Sequence, residues 1–157
     1  RATPAHCECA PPYRPTIWND GGWRQLSNNC SNYSTNYRTD TFAQPGRAAG
    51  SMYTSLTGPA VRAAAVRDGL INRPGADNKC PASGPDVLVA LVIAPTMHLH
   101  WYRKSADGVR THKLGPQAVR NLDNAGVPIA DPRTANRGPY SQFTTFMLAR
   151  QGDIKLG

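Results

Sequence analysis

The chain has 157 residues, 39 % of them hydrophobic, with 14 Gly and 14 Pro, which excludes a disordered polymer or a helical bundle and points to one compact, loop-rich domain. No apolar run reaches the roughly 18 residues of a membrane span; the longest, Val87 to Ala94, has the length of a buried strand. The formal net charge is +8, with arginines many, lysines few and Glu8 the sole glutamate, a balance that suits an anionic surface, whereas scattered basic residues without a groove-reading motif argue against specific nucleic-acid binding.

Residues 1–26 read as an extended arm, because Pro4, Pro11, Pro12 and Pro15 disfavour regular helix. Asn19-Asp20-Gly21-Gly22 is a turn. Trp18, Trp23 and Tyr13 suit packing of that arm. The chain begins at Arg1 without a methionine, so an upstream segment is expected to have been removed or never built. From residue 27 a single domain is expected, opening with a short helix capped by Ser27 or Asn28, in which Cys30, Tyr33 and Tyr37 recur at helical spacing. After a loop broken by Pro45-Gly46 and Gly50, Thr57 caps a clearer helix, with Pro59 in its first turn and Val61, Ala64 and Ala65 on its apolar face, ending at Gly69. Asn72 to Pro85 is loop.

Three strands follow. Asp86 to Ile93 is a buried central strand, and Met97 to Lys104 returns after the Pro95-Thr96 turn. Ala106-Asp107-Gly108 turns the chain into Val109 to Leu114. Residues 115–140, rich in Pro, Asn, Asp and Gly, read as a long surface excursion, and Gln142 to Ala149 as a closing strand. The fold class is α+β, with N-terminal helices on a small antiparallel sheet.

The cysteines are Cys7, Cys9, Cys30 and Cys80. An even count favours disulfides and an oxidising, secretory destination. Cys7 and Cys9 are too close to bond comfortably to each other, so either would pair with Cys80 or Cys30. Against this, a thiol at a helix start is favoured as an anion, which makes Cys30 a candidate nucleophile. On a strand, side chains two apart share a face roughly 6.5 to 7 Å from each other, so His98, His100 and Tyr102 point together, with His112 opposite on the hairpin partner. One histidine of the His98/His100 pair, oriented by His112, would deprotonate Cys30. Alternatively the three histidines bind zinc; the His-Leu-His-Trp run resembles the metal strand of alpha-type carbonic anhydrases over four residues. The patterns Asn29-Cys30-Ser31 and Asn32-Tyr33-Ser34 fit N-glycosylation.

The order of a cysteine helix, a second helix, the strand Gly84-Pro85-Asp86-Val87-Leu88-Val89, the strand His98-Leu99-His100-Trp101-Tyr102 and the strand Val109-Arg110-Thr111-His112 resembles the NlpC-type cell-wall endopeptidases and CHAP amidases across residues 27–114. The resemblance implies a papain-like fold and a secreted thiol hydrolase that cleaves an amide bond in wall peptide or protein. Cys30 would be the nucleophile, His100 or His98 the base and His112 its orienter, with no cofactor. Asn29, Tyr33, Trp101 and Tyr102 are then expected beside substrate, and the molecule is expected to be monomeric. The alternative is a non-enzymatic, disulfide-stabilised secreted binding or inhibitor module; a three-histidine zinc enzyme is a third reading.

Overall fold

The computed structural model of the protein describes residues 10–74 and 86–157. In chain order the elements are α1 (Pro15–Trp18), α2 (Trp23–Ser27), α3 (Cys30–Thr35), α4 (Gly58–Arg67), β1 (Ile71–Asn72), β2 (Asp86–Ala94), β3 (His98–Lys104), β4 (Arg110–Lys113), β5 (Val119–Arg120) and β6 (Gln142–Arg150). The strands form one six-stranded sheet in the order β1-β6-β2-β3-β4-β5, antiparallel throughout. The α+β class holds, and the sheet is larger than the small one expected.

All nine residues of β2 are buried, because both faces of the sheet are covered. Val87, Val89, Leu91 and Ile93 join Leu99 and Trp101 of β3, Met147 and Ala149 of β6, Val61 and Ala65 of α4, and Cys30 in one core. Leu88, Ala90 and Val92 point the other way, into a second core with Tyr102, Phe146 and Ile129. The second core is roofed by residues 115–140. That segment is therefore a structural layer rather than a surface excursion: Val119 and Ile129 are buried in it, and it contributes β5.

Helix α4 starts at the expected cap, where the Thr57 hydroxyl accepts from the Ala60 N–H. Gly58 lies so close to Thr144 of β6 that a Cβ there would collide with it. Helices α1 and α2 are corrections to the extended arm. Pro15 occupies the first turn of α1, where its missing N–H costs nothing. The Asp20 carboxylate accepts from the N–H groups of Gly22 at 2.9 Å, Gln25 at 3.0 Å and Arg24 at 3.2 Å, which satisfies the start of α2. Trp18 is buried edge-on against Tyr33 with ring centroids 5.4 Å apart, whereas Trp23 stays exposed.

Candidate functional site

Helix α3 is held by three buried asparagines. The Asn29 side chain accepts from the N–H groups of Ser31 and Asn32, while the Asn32 carboxamide accepts back from the Asn29 N–H at 3.0 Å, a reciprocal cap. Asn32 also accepts from the Ala43 N–H and donates to Tyr37 O and Thr39 Oγ1. Asn28 accepts from the N–H groups of Thr39 and Asp40 and donates to Arg24 O and Asp40 Oδ1. Asn29 and Asn32 are thus buried and occupied, and the folded chain presents neither as a glycan acceptor.

On the opposite side of this brace, Lys113 of β4 is fully buried, and its ammonium donates to the carbonyls of Gln25, Asn28 and Gly115. It ties the end of α2 and the approach to α3 onto the sheet. Burial pushes its pKa down to about 8. Nothing local in the sequence marks this lysine.

A half-open cleft of about 450 Å³ lies between the start of α3, the start of β3 and the roof segment. Cys30, His98, His100, His112, Asn29 and Tyr102 all border it, with Gln44, Gln117, Asn124, Arg137 and Tyr140 completing the wall. Tyr33 and Trp101 lie elsewhere. Tyr33 is buried beneath the Arg103 guanidinium, 4.0 Å from the ring centroid, with its hydroxyl 2.6 Å from Thr111 Oγ1. Trp101 packs in the helix-side core.

The histidines form a directional relay. His112 Nε2 is 2.8 Å from the Leu122 carbonyl, which can only accept, so Nε2 carries the proton and Nδ1 is left as an acceptor. His100 Nε2 lies 2.9 Å from that Nδ1 and must donate to it. His100 Nδ1 then holds an open lone pair. The rings of His100, Tyr102, His112 and Tyr140 pack with centroids 4.9 to 5.1 Å apart. Burial first, then the neighbouring His112 and His98, drives the His100 pKa well below the ordinary imidazole value. His112 is also lowered, again chiefly by burial. Both are neutral at physiological pH.

The zinc reading does not survive this geometry. Both His112 nitrogens are engaged, and His98 Nδ1 accepts from the Leu99 N–H at 2.7 Å. No metal-holding cluster occurs among the described residues.

The thiol-hydrolase reading also fails. Cys30 carries no disulfide, yet it is 4 % exposed and buried among apolar residues, and burial pushes its pKa up to about 11. Its hydrogen bonds are with the Trp101 backbone and Ser31, not with an imidazole. Leu99 and Trp101, which share its core, alternate with His100 along β3 and face away from it. Cys30 and His100 border one cleft without forming a nucleophile–base pair. The cysteine-peptidase, amidase and cell-wall assignments fall with that pair. Cys7, Cys9 and Cys80, on which any disulfide would depend, lie outside the described residues.

Fold and site together define a mixed α+β domain with a cleft of aromatic, amide and imidazole groups and one arginine. The sequence matches no protein-family model, and no solved structure matches it. The chain is 44 % identical over 139 residues to insoluble matrix shell protein 1 of Ruditapes philippinarum, an alignment covering 88 % of this chain and 90 % of that protein. The chain belongs to the family of that shell protein, not to the NlpC or CHAP hydrolases. It is a secreted, extracellular protein, as its cysteine count had suggested. No helix among the described residues is long and apolar enough to cross a membrane.

Proposed function

We propose that this protein is a non-catalytic component of an insoluble extracellular matrix, attached through its basic surface to an anionic matrix polymer. The similarity to the shell matrix protein across nearly the full length of both chains carries this reading.

The placement of charge supports it. Four of the acidic side chains are occupied by main-chain donors: Asp20 holds α2, Asp68 accepts from the Gly46 N–H, Asp107 from Val109, and Asp123 from Ala125, Val127 and Asn136. Arg14, Arg73 and Arg120 meanwhile project to solvent. Carboxylates occupied by main-chain donors compete less with these exposed guanidinium groups, in a chain whose formal net charge is +8.

The test is retention on a carboxylated or sulfated polysaccharide during a salt gradient. The native protein is expected to release between about 0.1 and about 1 M salt, where screening shortens from about 10 to about 3 Å. The triple variant Arg14→Glu, Arg73→Glu, Arg120→Glu should release earlier with unchanged stability. Retention indifferent to both salt and these substitutions overturns the attachment.

A further inference from the structure

The basic surface does not account for the cleft, and the cleft is built for something else. At neutral pH His100, His112 and the Cys30 thiol carry no charge. Arg137, the one permanent cation among the described residues of the cleft wall, is engaged by backbone carbonyls: Nε by Tyr140 at 2.9 Å, Nη1 by Pro132 and Arg133 at 2.8 and 2.7 Å, and Nη2 by Ser141 at 3.1 Å. An anionic ligand would give up its hydration without gaining a counter-ion from Arg137, His100 or His112. What the cleft does offer is a set of uncharged groups with complementary duties. Tyr140, half-buried and tilted 36° to His100 across 5.1 Å, supplies an apolar ring wall. Gln117 and Asn124, exposed on the rim, supply amides that donate and accept. His100, only 1 % exposed, supplies a fixed acceptor whose orientation is locked through His112 to Leu122.

We infer that the cleft binds an uncharged, hydroxyl-rich ligand of the chemical class of a neutral sugar unit, with its C–H face against Tyr140 and one hydroxyl donating to His100 Nδ1. A sugar ring has both an apolar face and a rim of hydroxyls, which matches an aromatic wall edged by side-chain amides. An extended peptide would instead call for a row of main-chain partners. The volume of about 450 Å³ lies within the range of small-ligand sites. The assignment rests on the cleft alone and is independent of the matrix reading.

Short soluble oligomers of neutral hexoses and of N-acetylhexosamines are titrated into the full chain in about 0.5 M salt, where surface charge is screened to within about 5 Å, with heteronuclear NMR or calorimetry as the readout. At least one oligomer should bind, with His100→Ala and Tyr140→Ala each weakening it about tenfold or more. Gln117→Ala, an exposed rim change that leaves the fold intact, should weaken it severalfold and keeps the test decisive if His100→Ala does not fold. Absence of saccharide binding at millimolar concentration, binding unmoved by Gln117→Ala and Tyr140→Ala, or preferential binding of a neutral peptide would each overturn the assignment. Screening separates this result from polyanion attachment, which fails or stands on its salt gradient.

Discussion

The asparagine brace around α3 and the histidine pair beside it are both buried and polar, but they differ in how completely they are satisfied. In Asn28, Asn29 and Asn32 every amide oxygen accepts two hydrogen bonds and every amide nitrogen donates at least one, all to partners within the chain. In the histidine pair donation runs from His100 to His112 to the Leu122 carbonyl, which leaves one lone pair open on His100 beside the cleft. A fully partnered polar cluster specifies a shape. One with an acceptor left over is prepared for a guest.

The comparison breaks most visibly if the brace proves dispensable. Asn32→Ala removes four hydrogen bonds and leaves the buried N–H groups of Asn29 and Ala43, and the half-buried Tyr37 carbonyl, without this partner. At about 1 to 3 kcal/mol for each orphaned group, partly relieved by relaxation, urea denaturation should show a loss of about 3 to 5 kcal/mol. A loss below about 1 kcal/mol removes the structural role.

The histidines sharpen the contrast through acid. Their folded pKa values are depressed, so the unfolded chain takes up protons first as pH falls below about 6.5, and stability declines from there downward. Two such groups give a slope of up to about 2.7 kcal/mol per pH unit, from about 1.36 for each proton. His112→Gln should flatten that slope in denaturation curves taken from pH 7 to 4. An unchanged slope would mean that the imidazoles are not held neutral by the fold.

Cys30 shows the opposite sign in alkali. Its folded pKa, pushed up to about 11 from 9.0, leaves the unfolded thiol ionised first, so stability falls as pH rises through 9 towards 11. At pH 8 ionisation alone should make alkylation of Cys30, read by peptide mass mapping, about 100-fold slower in the folded than in the unfolded chain. Equal rates would return the residue to the reactive class. The smallest effect belongs to Trp23, which is 66 % exposed: Trp23→Ala should change stability by about 0.5 kcal/mol or less in thermal unfolding.

Elements built from local rules were legible in the sequence. The alternation of His98, His100 and Tyr102 on one face, the apolar run of β2 and the Thr57-Gly58-Pro59 start of α4 all follow from period and capping, and all stand in the structure. What was not legible depended on distant partners. Strand β6 lies between β1 and β2, a pairing no short window reveals. Residues 115–140 carry turn-forming composition because they turn repeatedly around Asp123, yet that same carboxylate folds them back as a roof. The misreading of Cys30 has the same origin. Asparagine is usually exposed, so Asn28-Asn29-Cys30-Ser31-Asn32 looked like a solvent-facing site, whereas packing against Leu99 and Trp101 makes it interior.

The sheet ends in two strands of only two residues each, Ile71–Asn72 on one side and Val119–Arg120 on the other. Each margin pairs with its neighbour over two residues, Ile71 and Asn72 with Leu148 and Met147, and Val119 and Arg120 with Lys113 and His112, so the edge strands themselves give another chain little ladder to extend. For the matrix component proposed above, attachment then falls to side-chain chemistry on the outside of the fold.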